Sequence, residues 1–264
     1  MSGRETCSGL PSIFLPVSMG GFGRLFVYSQ IRLTFNDDIE MNIWFLMLAV
    51  MVLSFIIQQM LSSRFTKYSR VPSPRGLTGA DVARLMLAQN GITDVTVQSV
   101  SGKLTDHYNP QDKTVNLSEG VYDSASVAAC AVAAHETGHA IQHAQGYAPL
   151  RLRSALVPVV TFANNTVQWV LLAGILMLNV FPQLLWVGIG LFALTTFFSF
   201  VTLPVEINAS QRAVQWLDGA GIVDATTRPM AVDALKWAAY TYVIAAIGSL
   251  ATLFYYISLG NSRR

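Results

Sequence analysis

Charged residues and cysteines are both scarce in this sequence. Only 12% of the residues are charged, whereas a soluble domain carries about 25%. The mean hydropathy is +0.44, and together these values favour an integral membrane protein. The net charge of +2 gives no electrostatic basis for binding nucleic acid, so we expect no such partner. The two cysteines, Cys7 and Cys130, are too far apart in sequence to indicate a disulfide framework.

The longest stretch without charge extends from residue 154 to residue 205. One helix needs only about 20 apolar residues to cross the hydrocarbon core, so this stretch can cross it twice. Pro182, within the more polar residues 179–183, interrupts it. We therefore predict a transmembrane hairpin of residues 156–180 and 184–203. A buried helix pair in a soluble protein is the alternative, but such helices rarely stay uncharged for so long.

Two further segments, 41–63 and 237–260, are also free of charge. The second has tyrosine or tryptophan near both ends, as is typical of the membrane interface: Trp237, Tyr240, Tyr242, Tyr255 and Tyr256. The sequence thus predicts about four transmembrane helices. Residues 1–40 lack the basic head and compact apolar stretch of a signal peptide. We expect a disordered leader there, or a start codon assigned too early with Met41 as the true initiator.

Basic residues near the predicted spans indicate the orientation, because cytoplasmic loops are enriched in Lys and Arg. With four spans, one side of the membrane receives most of them: Arg64, Lys67, Arg70, Arg75, Arg151, Arg153, Arg212, Arg228 and Lys236. Arg263 and Arg264 fall on the other side. We expect a multi-pass protein of a bacterial-type cytoplasmic (inner) membrane, with the lipid bilayer as a partner and the basic side in the cytoplasm.

The polar segment 64–153 has its own secondary-structure pattern. A helix is predicted over 78–90, capped by Thr78 and ended by Gly91. Strands are predicted over 95–100, 104–108 and 114–117, the last two as a hairpin, and a long helix over 124–145. The fold class is therefore α+β, mainly α-helical, with a small domain beside the membrane helices. The expected order is leader 1–40, span 41–63, domain 64–153, hairpin 154–205, helix 206–236 and span 237–260.

The long helix contains the motif His135-Glu136-Thr137-Gly138-His139. Residues four apart share one helical face, so the two imidazoles can bind one zinc ion. Glu136, beside the first histidine, can act as the base that takes a proton from the attacking water. Two ordinary surface histidines are the alternative. However, residues 127–134 are uncharged, and a carboxylate in apolar surroundings is costly unless a metal or a partner compensates it.

A third metal ligand has to come from elsewhere. His143 is eight residues beyond His135, about 12 Å along a helix, so we expect it to support the site rather than bind the same ion. Position 145 is Gln145, so the histidine spacing of metzincins is missing. Glu206 is the leading candidate, because it is the first charged residue after the hairpin. Two spans bring the chain back to the side of the membrane where His135 lies.

The helix that carries Glu206 is expected to begin near Pro204, because proline suits the first turn of a helix. Asp218 is the alternative ligand. Its Leu-Asp-Gly context resembles the ligand motif of site-2-type intramembrane proteases. In those enzymes the zinc histidines lie within a transmembrane helix, whereas the apolar part of the helix around His135 is too short to span.

Five separated blocks of the sequence share a further resemblance: 106–110, 117–118, 121–122, 133–143 and 203–213. In order and spacing they resemble the YugP-like family of bacterial membrane neutral zinc metallopeptidases. The resemblance covers the chain from about Met41 to the C-terminus. It implies a zincin-like catalytic domain, Zn²⁺ as the cofactor, and a peptide or protein substrate, membrane proteins included.

The same family is similar in layout to HtpX and the CAAX-prenyl proteases, whose third zinc ligand is the glutamate of a Glu-x-x-Ala-Asp motif. The analogy implies that Glu206 is a ligand. Ser210 stands where that larger group has the aspartate which supports a ligand histidine, so Ser210 or Asn208 would take over this role. By the same analogy, the strand over 114–117 would flank the cleft and pair with an extended substrate.

The function predicted from the sequence is a membrane-anchored zinc metalloendopeptidase. Two alternatives remain open: a site-2-type intramembrane protease that uses Asp218, and a non-catalytic metal-binding membrane module. A structural zinc site is usually closed by four protein ligands and does not need Glu136. Tyr108, His107 and Arg212 are candidates for steadying the oxyanion during hydrolysis.

Overall fold

The computed structural model describes residues 37–261, with side-chain burial from residue 43 onward. The leader predicted for residues 1–40 therefore lies outside the described residues up to position 36. The described chain forms seven helices and three strands: α1 Asp37–Tyr68, α2 Gly79–Gln89, β1 Thr96–Val100, β2 His107–Asn109, β3 Thr114–Ser118, α3 Glu119–Tyr122, α4 Val127–Ala144, α5 Ala148–Leu176, α6 Gln183–Gly219 and α7 Arg228–Asn261.

Four of the described helices, α1, α5, α6 and α7, are long and apolar enough to cross a membrane. Large apolar side chains on them point away from the protein, and Phe45, Phe162 and Trp169 are each more than 60% exposed. Such side chains are suited to contact with lipid. The predicted fold class, a mainly helical α+β membrane protein with a small sheet, is confirmed.

The hairpin of α5 and α6 is held together by close backbone contact. A Cβ atom on Gly174 would lie 2.7 Å from the Leu185 Cα atom, and one on Gly188 would lie 2.7 Å from the Leu171 side chain. Glycine at these positions lets the two helices approach closely, as in many membrane helix pairs.

Helix α6 does not end at the predicted boundary of the hairpin. It continues through Pro204 to Gly219, so Glu206 lies on the second arm of the hairpin itself. The prediction that Pro204 occupies the first turn of a new helix is wrong. Proline removes one backbone N–H from the helix ladder, and neighbouring helices can compensate for this loss in a membrane helix. Glu206 and the apolar residues of the hairpin's second arm thus share one continuous helix.

The sheet has the strand order β1-β3-β2. Strands β2 and β3 pair antiparallel, as the predicted hairpin requires, with Tyr108 opposite Val115. Strand β3 also pairs with β1 in parallel, and all five of its residues are buried. The expectation that residues 114–117 pair with an extended substrate is therefore wrong, because both edges of this strand are already bonded. The outer strands of the described sheet are β1 and β2.

A compact core joins this sheet to α2 and α4. Helix α2 begins with a capping box in which Thr78 and Asp81 bond to each other's backbone N–H groups. Apolar side chains of α2, β3 and α4 are fully buried together, among them Val82, Val115 and Val127. Helix α4 thereby has one face on the sheet domain and the other against α6 and α7.

Candidate metal centre

His135 and His139 lie one turn apart on α4, whose first turn is capped by the Ser126 side chain. The two rings are 4.9 Å apart and nearly perpendicular, at 82°. Both Nε2 atoms face α6. The local helical spacing alone brings these two nitrogens together, as the sequence predicted.

Glu206 reaches these rings from α6. Its Oε2 atom is 3.3 Å from the His135 Nε2 and 3.6 Å from the His139 Nε2. The three ligand atoms all lie within 4.8 Å of one another. Oε2 is buried and has no hydrogen-bond partner among the described residues. A buried carboxylate oxygen without a partner is costly, and a cation held between these three atoms would remove that cost.

The donor set fits zinc in particular. Two imidazole nitrogens and one carboxylate oxygen are three protein ligands, which leaves a fourth position for water or substrate. Zn²⁺ is the cofactor that this arrangement suits.

Each histidine ring is oriented by a hydrogen bond on its other nitrogen. His135 Nδ1 lies 3.1 Å from the Ser210 Oγ, and His139 Nδ1 lies 3.0 Å from the Gln142 Oε1. Gln142 also donates through Nε2 to the Val205 carbonyl oxygen at 2.8 Å. A carbonyl only accepts, so this bond defines which end of the amide faces His139. His139 must then carry its proton on Nδ1, which leaves the Nε2 lone pair for a metal.

Two of the predicted supporting residues take part in this arrangement. Ser210 contacts His135 directly, whereas Asn208 acts through Gln142, whose Nε2 donates to Asn208 Oδ1 at 3.0 Å. Gln142 is not among the residues predicted from the sequence. Its position three residues after His139, on the same face of α4, is the signal that could have found it.

Glu136 lies beside the first histidine and is only 5% exposed. Burial raises the pKa of its carboxyl group to about 7, and the nearby negative charges of Glu206 and Asp106 act in the same direction. The positive charges of His135 and Arg153 oppose this rise. A carboxyl group with a pKa near neutrality can both accept and return a proton at physiological pH.

A small pocket connects these groups to helix α7. On the α4 and α6 side it is lined by Val132, His135, Glu136, Glu206 and Ser210. On the α7 side it is lined by Leu235, Ala238, Ala239 and Tyr242. Tyr242 was noted in the sequence only as an interfacial aromatic residue, and no local pattern links it to a motif more than 100 residues earlier.

Arg153 is a second residue whose place at the centre only the structure reveals. It lies on α5, is 7% exposed, and its guanidinium NH1 is 3.3 Å from the Glu206 Oε1. In the sequence it counted only as one of the basic residues before a span.

Three of the remaining candidates lie in other contacts. His143 Nδ1 is 2.8 Å from the Tyr108 hydroxyl, and His107 Nδ1 is 2.8 Å from the Thr105 carbonyl oxygen. Tyr108, His107 and His143 do not line the pocket in the described part of the chain.

Arg212 and Asp218, both on α6, also have partners of their own. Arg212 donates to the Asn208 Oδ1 and the Gln145 Oε1, each at 2.7 Å. Asp218 pairs with Arg228 at 2.9 Å on the surface and is not part of the metal-ligand group. The alternative with Asp218 as third ligand is therefore not supported.

Comparison with known proteins identifies the family of this chain. Residues 43–261 match the protein family described as "Putative neutral zinc metallopeptidase". The chain is also similar to the protein named "Putative membrane protease YugP" of Bacillus subtilis (strain 168), with 43% identity over 215 residues. That similarity covers 81% of this chain and 95% of the relative. No solved structure matches the chain. The family match spans the four membrane helices and the grouped His135, His139 and Glu206, so the chain belongs to the neutral zinc metallopeptidase family, as the resemblance implied.

Proposed function

We propose that the protein is a membrane-anchored zinc metalloendopeptidase whose metal ligands are His135, His139 and Glu206. One observation carries the proposal. Two imidazole nitrogens and one buried carboxylate oxygen lie within 4.8 Å of one another, and the Glu136 side chain lines the same pocket. Three ligands with an adjacent carboxyl base are what metal-assisted hydrolysis requires, whereas a closed structural site has four ligands.

The chain's own residues account for the proton transfers. Zinc, when bound, supplies Lewis-acid chemistry by polarising a carbonyl oxygen and acidifying water. Glu136 takes a proton from the water as the water oxygen forms a bond to the carbonyl carbon. Glu136 then gives this proton to the nitrogen as the C–N bond breaks, so one peptide becomes an acid and an amine.

Tyr242 is the residue that we propose for the developing negative charge on the carbonyl oxygen. It lines the same pocket as Glu136, from helix α7, and carries a hydroxyl donor. The Tyr242 hydroxyl interacts with the Glu206 carboxylate, whereas Ser210, the other hydroxyl in the pocket, bonds to His135. A donor placed at the developing oxyanion typically contributes about 10²–10³ in rate. The oxyanion role predicted for Tyr108, His107 and Arg212 stays a prediction, and none of the three is among the residues that line this pocket.

The substrate in this proposal is an extended segment of a peptide or protein. The walls on the α7 side are apolar and partly formed by alanines, which suits a small apolar side chain next to the scissile bond. The pocket lies against α7, a helix able to span the membrane, so segments of membrane proteins near the bilayer surface are within reach. Of the two outer strands, β2 lies near α4 through the Tyr108–His143 contact and offers an edge for such a segment.

We place the centre on the cytoplasmic side of a bacterial-type inner membrane. Support comes from the basic residues close to the ends of the spans, including Arg64, Lys67 and Arg70. The test uses Gln111→Cys, in the exposed turn between β2 and β3, in a protein with Cys7→Ser and Cys130→Ala. A membrane-impermeant maleimide should label it only after spheroplasts are lysed. Labelling of intact spheroplasts would place the centre on the opposite side.

The decisive test of the function compares the wild type with Glu136→Gln on an unfolded protein such as casein. We expect Glu136→Gln to keep its zinc, measured by elemental analysis, and to lose about 10²–10⁴ in rate, because the general base is gone. Glu119→Gln, an exposed glutamate on the short helix α3, is the matched control and should behave as the wild type. Equal activity of all three proteins would rule out the mechanism. A zinc-loaded wild type that cleaves no unfolded substrate would instead favour the non-catalytic module.

A further inference from the structure

The second oxygen of Glu206 is occupied by an arginine that belongs to the membrane hairpin. Arg153 NH1 lies 3.3 Å from Glu206 Oε1, while Oε2 faces the two histidine nitrogens. Both side chains are buried, with 7% of Arg153 and 2% of Glu206 exposed. A buried arginine in this setting is costly unless it has a charged partner, and Glu206 is that partner.

The two oxygens of the Glu206 carboxylate thus have different partners: Oε1 contacts Arg153, and Oε2 faces the two histidines. A carboxylate can bind a metal with one oxygen or with both. With Oε1 held by the guanidinium, only Oε2 is directed at the space between His135 and His139. The guanidinium stays charged, and its contact through NH1 with Oε1 favours the rotation of the carboxylate in which Oε2 faces the histidines.

We propose that Arg153 is a positioning residue that keeps Glu206 a one-oxygen ligand and so leaves the fourth metal position open for substrate. The inference rests on the proposed metal centre. Arg153 lies on α5 and Glu206 on α6, so the ion pair also joins the two arms of the hairpin at the level of the metal. A second carboxylate oxygen on the metal would compete with water or a substrate carbonyl for the same position.

The experiment uses the full chain in lipid nanodiscs, loaded with Co²⁺ in place of zinc. The visible absorption of Co²⁺ reports its coordination number, and competition with a chelator gives the affinity without any substrate. Arg153→Met should weaken Co²⁺ binding about 10- to 100-fold, the usual effect of losing a residue that orients a ligand. It should also reduce the intensity of the absorption bands, because Oε1 becomes free to bind the metal.

Two further variants distinguish positioning from general support of the fold. Arg151→Met changes an exposed arginine two residues away on the same helix and should leave both affinity and spectrum unchanged. Arg153→Lys keeps the charge but not the planar donors, and should recover part of the affinity while the spectrum stays altered. In a Glu206→Gln background, Arg153→Met should have little further effect on affinity, since the two residues act through one interaction.

The outcomes are decisive in each direction. A wild-type spectrum and affinity for Arg153→Met would overturn the proposal. If Arg153→Met fails to fold, Arg153→Lys decides, because a wild-type spectrum and affinity there would overturn it equally. An effect of Arg153→Met that persists unchanged in Glu206→Gln would show that the arginine acts on the fold and not on the ligand. If the wild type binds Co²⁺ but does not cleave casein, the proposed function fails, while the affinity and spectrum still test this inference. If the wild type binds no Co²⁺, both the metal centre and this inference are overturned.

Discussion

Gly138 lies directly against Ala209, and a Cβ atom on Gly138 would come within 2.9 Å of the Ala209 carbonyl oxygen. Gly138 belongs to the histidine motif on α4, and Ala209 lies one turn after Glu206 on α6. This backbone contact sets the distance between the two helices that carry the three atoms proposed to bind the metal. Because Gly138 has no side chain, α4 can approach α6 closely enough to bring Glu206 to His135 and His139.

The first prediction concerns this contact. Gly138→Ala should weaken zinc affinity by about tenfold, because α4 and α6 must move apart and Glu206 must move with them. The same change should favour the helix itself, since alanine exceeds glycine in helix propensity by about 1 kcal/mol. Isothermal titration with zinc measures the affinity, and far-ultraviolet circular dichroism checks the helix content.

Gly190→Ala is the control for this prediction. Gly190 lies on α6, and a Cβ atom added there meets nothing within 4 Å in the described structure. This variant should bind zinc as the wild type does. Undiminished affinity in Gly138→Ala would show that the helix separation does not control the site.

The second prediction concerns the buried amide of Gln142, which is 0% exposed. Gln142→Leu removes the acceptor that holds the proton on His139 Nδ1, so zinc affinity should fall about 10- to 100-fold. It also leaves the Val205 carbonyl and the Asn208 side chain without this donor, which should lower the free energy of unfolding by about 1–3 kcal/mol. Gln145→Leu, one turn further on, removes only a bond to Arg212 and should leave zinc affinity unchanged.

The third prediction concerns Tyr242. Tyr242→Phe should retain zinc and lower kcat by about 10²–10³, with a smaller change in KM, because the lost hydroxyl acts on the transition state. Tyr240→Phe is the matched control, since Tyr240 lies on the same helix, is exposed and packs on Trp237 and Lys236. Initial rates on a quenched fluorescent peptide measure the effect. Equal kcat values for the wild type and Tyr242→Phe would remove Tyr242 from the reaction.

The fourth prediction concerns Asp106, a buried carboxyl group that accepts hydrogen bonds from Ser118 N at 2.8 Å and Ser118 Oγ at 3.0 Å. Burial raises its pKa above the usual range, although the bonds from Ser118 oppose the rise. A folded-state pKa above the unfolded value of about 3.9 means that the protonated form stabilises the fold. This contribution is complete below the unfolded value and is lost as the pH rises through the folded-state pKa.

Asp106→Asn is neutral at every pH and can still accept from Ser118 N. The melting temperature of the wild type should therefore fall relative to that of Asp106→Asn as the pH rises above about 4. Thermal unfolding of both proteins over a pH series measures the difference, and contributions from other groups cancel in it. For Asp112→Asn, in the exposed turn between β2 and β3, the curve of melting temperature against pH should run parallel to that of the wild type. Parallel curves for Asp106→Asn would contradict the prediction.

The features that depend on local spacing or composition were predictable. The four uncharged stretches indicated the four apolar helices, and the hairpin of β2 and β3 followed from alternating residues around a turn. The histidine pair is one helical turn apart whatever surrounds it. The predicted grouping of Glu206 with these histidines also agrees with the structure, since two spans return the chain to its starting side.

The features that were missed depend on contacts between distant segments. The prediction that Pro204 starts a helix is wrong, because the tolerance of proline inside α6 depends on the helices packed around it. The prediction that β3 is free to pair with a substrate missed its parallel partner β1. The whole of β2 separates these two strands in the sequence, so no local pattern links them. The roles of Arg153 and Tyr242 have no local pattern, since each comes from a different membrane helix.

The sequence by itself determined the class of protein and the metal, and it placed two imidazoles on one helical face, because low charge, long apolar runs and four-residue spacing act locally along the chain. Only the tertiary structure decided what surrounds the metal. Close packing of α4 on α6 brings a carboxylate to the histidines, and the hairpin brings an arginine to that carboxylate. Such contacts join residues far apart in sequence, and they form only when burial of the apolar helix faces sets the distances between the helices.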